Sequence, residues 1–350
     1  MEHVTYDVSQ EYHIHIDRNG DFYPNVKISD TELKEEGKNQ LSVWAERHPK
    51  RFEAIAKTYL LRQTAYSAES YRILQDSIIA DISRSINRFS EGKFQTWLIH
   101  GFRKKMYEPV YDGDKTSVAD NDQIKERLRA HINVNSRKEN YFVEVFWDGR
   151  YLRNQGILSA IKLAEMFKRA IPNARNCGYA LRSIFKNLES KKINVITHST
   201  GTHVAAHLLF NVMSRFEYMQ PTPDARINLV LVASASSGKK LFDNYYDRNT
   251  SFHFEAGDNY KVINVYNKRD GVLRKNMWYP SRASTKLGCN YRKESDKLYD
   301  HFSKVFPHSS YLECPNTFDI PRPPRTANHT FTNYVEHKSF DVVLNIIFAE

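Results

Sequence analysis

Two periodicities alternate along the chain. Runs rich in β-branched and aromatic residues fall at Phe94–Ile99, Tyr141–Trp147, Ile193–Ile196, Ile227–Ala233 and Lys261–Asn267. These runs are short and apolar, as expected of buried strands, and Ile227–Ala233 reads as a central parallel strand. Between them the apolar positions recur every third or fourth residue. Tyr71, Leu74, Ile78, Ile82 and Phe89 form one stripe, and Val204, Leu208, Val212 and Phe216 another. These predict helices over about 68–89 and from Val204 to Phe216. Further helices are predicted over about 120–132, over 158–188 with an interruption at Pro172, and over 340–348, where Val342, Val343, Ile346 and Ile347 are apolar. His308–Cys314 reads as a last strand. Strands alternating with helical patterns point to an α/β fold.

The first ninety residues have a different character. Tyr12-His13-Ile14-His15-Ile16-Asp17 alternates, and Asn19-Gly20 supplies a hairpin turn. Ser29-Asp30-Thr31-Glu32 forms a capping box, and a helix with Phe52, Ile55, Tyr59 and Leu60 on one side follows Pro49. Residues 1–92 are therefore expected to form a β-hairpin and helical segment, packed on or capping a main domain of residues 93–350. His13 and His15 share one strand face. An H-x-H pair suits a metal, but no third ligand is near in sequence, and a polar strand face explains the pair as well.

Composition narrows the picture. No run approaches the ~18 apolar residues of a membrane span. The first residues show no basic stretch leading into an apolar core, so no secretory signal is visible. Cys177, Cys289 and Cys314 are odd in number and far apart. They suggest reduced thiols and a cytoplasmic setting, not a disulfide framework. The net charge of +10 favours anionic partners, including peripheral contact with anionic lipid. Acidic and basic residues are mixed along the chain, however. With no nucleic-acid motif or basic tail, no nucleic-acid partner is expected.

The candidate chemistry centres on Lys192–Phe216, where the apolar strand passes through Thr197-His198-Ser199-Thr200-Gly201 into the helix. A sharp strand-to-helix turn lifts a serine Oγ clear of a sheet. The helix N-terminus offers free N–H groups to a developing negative charge. An ordinary turn with a capping serine would use similar residues. The stretch resembles the α/β-hydrolases, in particular serine esterases and lipases with a G-x-S-x-G elbow. Thr197 stands where the first Gly is usual. Upstream, the strand Phe94–Ile99 ends in His100-Gly101-Phe102, the position at which the family supplies an oxyanion N–H. The pairing of a strand–HGF with an HSxG elbow is closest to bacterial members.

The resemblance implies a mostly parallel central sheet with helices on both faces. It implies a catalytic order Ser199, Asp270, His337. Asp270 lies in Lys268-Arg269-Asp270-Gly271-Val272-Leu273, after the second strand beyond the serine, where a type I turn would also favour Asp. His337 precedes the final helix, and His329 is its rival eight residues upstream. The backbone N–H groups of Phe102 and Thr200 would hold the oxyanion. His100, Gly101, His198 and Asp148, the last at the end of its own strand, would line the pocket. Such a site would cleave a small-molecule or lipid ester through an acyl-enzyme and needs no metal or organic cofactor. A catalytically silent hydrolase-fold binding module is the alternative.

Overall fold

The computed structural model describes residues 6–26, 28, 40–101, 115–135, 139–148, 159–210, 225–236, 260–273, 287–290, 310–313 and 327–349. Phe102, the Ser29–Glu32 capping box, Cys314 and the expected continuation of the helix to Phe216 lie outside them.

Seven strands form one sheet. They are β1 (Glu11–Ile16), β2 (Phe94–Ile99), β3 (Asn140–Trp147), β4 (Lys192–His198), β5 (Arg226–Val232), β6 (Tyr260–Tyr266) and β7 (Ser310–Glu313). The order is β1-β3-β2-β4-β5-β6-β7, and every pairing is parallel. The helices are α1 (Leu41–Arg47), α2 (Pro49–Thr58), α3 (Ala68–Ser90), α4 (Lys115–Asn135), α5 (Ser159–Phe185), α6 (Gly201–Leu209), α7 (Phe331–Glu336) and α8 (Phe340–Phe348). A 3₁₀ turn covers Ala327–His329.

Alternation within each strand divides the core in two. Trp97, Val195, Leu229 and Leu231 join one apolar cluster with Ile78, Leu181 and Val204. Leu98, Ile196, Val230 and Val232 join the other with Leu128, Tyr334 and Leu344. Helices thus cover both faces, and this is why the central strands read as continuous apolar runs. A polar row crosses the second face. Thr96 Oγ1 donates to Asn140 Oδ1 at 3.0 Å, Asn194 Nδ2 to Thr96 Oγ1 at 3.4 Å, and Asn228 Nδ2 to Asn194 Oδ1 at 2.7 Å. The row ties β3, β2, β4 and β5 together across the sheet and so helps specify register.

The N-terminal region differs from expectation. The turn after β1 forms, with Gly20 at φ +97° and Asp17 N–H donating to Asp21 O. The return is only a single bridge between Ile16 and Phe22. β1 instead pairs with β3 through all six of its residues, so 11–16 is an edge strand of the main sheet. Its apolar face (Tyr12, Ile14, Ile16) packs into the same cluster as α3. A strand with one row of core residues and free edge groups is better satisfied by joining a sheet than by pairing within a short hairpin. The helix expected to break at Pro172 runs through it, as α5.

Candidate active site

β4 ends at His198 and α6 begins at Gly201, leaving two residues to turn the chain. Ser199 takes that turn at φ +51°, a left-handed conformation costly to a non-glycine residue. It is held from both sides: its N–H donates to Val232 O at 3.0 Å, and its carbonyl accepts from Ala235 N–H at 3.0 Å. Gly201 is required by close approach. A Cβ there would stand 2.6 Å from the carbonyl oxygens of Ile99 and His100. The helix therefore starts directly against the end of β2. Thr197 is fully buried, and its Oγ1 donates to Val230 O at 3.2 Å. That bond explains how threonine is accommodated at this position.

The turn presents Ser199 Oγ to an imidazole 3.0 Å away, and the ring is that of His329. The other ring nitrogen of His329, Nδ1, lies 2.7 Å from Asp270 Oδ2. Asp270 is fully buried. Its second oxygen, Oδ1, accepts the backbone N–H groups of Val272 at 2.9 Å and Leu273 at 3.0 Å. The acid thus has one oxygen fixed by the backbone, while the other meets the histidine and, at 3.5 Å, the hydroxyl of Tyr334. The carboxylate fixes Nδ1 as the protonated nitrogen, which leaves Nε2 as a lone-pair acceptor facing the serine hydroxyl. The three residues come from the ends of β4 and β6 and from the turn before α7, at the carboxyl ends of the strands, where open α/β sheets carry their sites.

His337 is not brought to this relay. It caps the C-terminus of α7, and its Nδ1 accepts the N–H of Ser339 at 3.1 Å, at the corner into α8. Arg127 pins that corner through Val335 O, through His337 O at 3.4 Å and through Asp341 at 2.7 Å. Burial, with help from Lys338 and Arg127, lowers the pKa of His337. The difference arises because α7 intervenes between His329 and His337. Phe331, Tyr334 and Val335 are its buried residues, at i, i+3 and i+4. That spacing was the available signal. Once α7 is counted, His329 is the histidine between the last strand and the next helix.

The remaining expected residues take defined places. A Cβ on Gly101 would lie 3.0 Å from the Ser199 Cβ, so the chain after β2 passes against the serine. His100 holds that passage: its Nε2 accepts Trp147 N–H at 3.1 Å, so Nδ1 carries the proton and donates to Gly101 O at 2.6 Å. Thr200 N–H heads α6 and has no backbone partner among the described residues. Phe102, the other expected oxyanion donor, lies outside the described residues. His198 donates from Nε2 to His329 O at 2.9 Å. The carboxylate of Asp148 is buried and paired. Arg18 donates to its Oδ2 from Nε at 3.0 Å and also pairs from Nη2 at 2.9 Å, tying β3 to the turn after β1.

Fold and site together define an α/β protein with a parallel sheet that carries a Ser199–His329–Asp270 hydrogen-bonded relay. No family model matches the chain. No curated protein matches it either. A crystal structure of an uncharacterized protein from Bacillus cereus ATCC 10987 is similar over 91% of this chain and 92% of its own, at 10% identity and a TM-score of 0.36. That likeness is too distant to assign a fold or an activity. Among the described residues, no helix is long and apolar enough to cross a membrane.

Proposed function

We propose that the protein is a serine hydrolase of the α/β-hydrolase kind, cleaving a carboxylic ester through an acyl-enzyme. The observation that carries this reading is the relay itself. Ser199 Oγ, both nitrogens of His329 and Asp270 Oδ2 are in hydrogen-bond succession, on a serine held at φ +51°. A solvated serine and a structural histidine need neither that strain nor a fully buried carboxylate on the far ring nitrogen.

The chemistry follows from the donors. His329 Nε2 takes the Ser199 proton as Oγ attacks the acyl carbon. Asp270 keeps the imidazole in the tautomer that can accept, and then stabilises the imidazolium. The N–H of Thr200, at the head of α6, faces the charge that develops on the acyl oxygen. One such donor supplies about 2.7–4 kcal/mol of transition-state stabilisation. His329 returns the proton to the departing alcohol oxygen. A water deprotonated by His329 then attacks the acyl carbon and releases the acid, restoring the Ser199 hydroxyl.

The test is turnover of p-nitrophenyl esters of rising acyl length by wild type and Ser199→Ala. Hydrolysis that disappears in the variant supports the reading. Absence of Ser199-dependent turnover across the series removes simple carboxylic esters.

A further inference from the structure

The turn that carries His329 is short, and something must fix its depth over the serine. Carbonyls at the end of so short a turn have no regular helical partner. The His329 carbonyl is bonded instead to the neighbour of the nucleophile. His198 Nε2 lies 2.9 Å from it, and since a carbonyl only accepts, Nε2 carries the proton. Burial and the nearby His329 push the pKa of His198 down to about 3, so its ring is neutral at ordinary pH. The two rings lie with centroids 5.1 Å apart, and Phe331 lies 5.2 Å from the His198 ring. On the acid side, Asn328 Nδ2 donates to Arg269 O at 3.3 Å. The turn is thus tied to the elbow by one side chain and to the acid loop by another.

We infer that His198 is a positioning residue, which sets the His329 ring over Ser199 by donating from Nε2 to the His329 carbonyl. The inference rests on the hydrolase reading above and assigns His198 a task distinct from lining a pocket. The bond acts on the base and not on the bound ester, so its loss slows the chemical step and leaves KM in place.

Three variants separate donor from packing. His198→Gln keeps an N–H close to where Nε2 stands. His198→Phe keeps the ring and removes the donor, and His198→Met is a second, less rigid donor-free form. Each is measured for kcat and KM on p-nitrophenyl butyrate and for fluorophosphonate labelling of Ser199, with its thermal unfolding recorded. The expected result is a kcat within about 3-fold of wild type for the Gln variant, and about 10-fold lower for Phe and Met, with KM unchanged. A Phe variant equal to wild type, or a Gln variant as impaired as Phe, overturns the inference. If neither donor-free variant folds, the histidine serves the fold and the inference also fails. A folded wild type that is never labelled at Ser199 instead brings down the hydrolase reading, and this inference with it.

Discussion

His13 and His329 both pair with carboxylates, yet their surroundings make them opposite devices. His13, on the face of β1 away from the main core, lies 3.0 Å from Glu11 and 3.5 Å from Glu144 through the same nitrogen, Nε2. Lys125 of α4 bonds Glu11 at 2.8 Å and also Glu144, whose other oxygen accepts from Asn121 at 2.6 Å. Glu11, His13 and Glu144 offer metal-like ligand spacing. The buried ammonium of Lys125 already stands as the cation among them, and it also pairs with Asp122 at 3.0 Å. His329 divides its nitrogens between an acid and a hydroxyl. A histidine–carboxylate pair is therefore not a site by itself. The atom facing the second nitrogen decides whether a proton can be passed on or only held.

The comparison breaks most sharply if the acid at the relay is neutralised. Asp270→Asn keeps the shape but lets the ring adopt the wrong tautomer, and kcat should fall about 10⁴-fold with the fold retained. A fall of less than tenfold in steady-state hydrolysis would mean that Asp270 only closes its turn. Next in size is the edge cluster. Lys125→Met leaves two carboxylates close together with one histidine, which should destabilise the protein by about 3–5 kcal/mol in urea unfolding. Its activity per folded molecule should stay that of wild type. An unchanged midpoint would show that the cluster is solvated and inert.

The smallest effect is that of pH on stability. At His13 burial acts downward, but hydrogen bonds to Glu11 and Glu144 outweigh it and raise the pKa from 6.5 to about 9. The stabilisation from this proton is complete below about pH 6.5 and is lost as pH rises through about 9. At Glu11 burial acts upward, but the bonds from His13 and Lys125 prevail and lower the pKa from 4.5 to about 2. Its share is present above about pH 4.5 and is lost as pH falls through about 2. The shares of these two groups are both fully present between about pH 4.5 and 6.5, and loss of the His13 share on the alkaline side is on the order of 1–3 kcal/mol. His13→Gln should flatten that alkaline arm in unfolding measured from pH 6 to 10. An arm that stays as steep would place its origin elsewhere.

Much of this was legible in the chain. The strands β2 to β6 stand close to where apolar runs predict them, because burial on both faces leaves an unbroken signature. The places of Ser199 and Asp270 in the hydrogen-bonded relay are legible because each follows a strand in a turn of recognisable composition. Local pattern points β1 to a hairpin, since Asn19-Gly20 is a local signal, while its partner β3 lies more than a hundred residues away. The choice between His329 and His337 is not legible, because α7 is only six residues long and a helix so short gives fewer than two turns of periodicity. The ionic cluster was out of reach for a different reason. Glu11, Lys125 and Glu144 meet only through the strand order, which local pattern does not encode.

The imidazole that faces Ser199 decides the chemistry. The direct measurement compares the rates of fluorophosphonate labelling, and of ester turnover, for wild type, His329→Gln and His337→Gln, with the labelled peptide located by mass. The geometry predicts that His329→Gln loses labelling and turnover by about 10⁴-fold, while His337→Gln stays within about 3-fold of wild type. A protein silenced at 337 and active at 329 would contradict it.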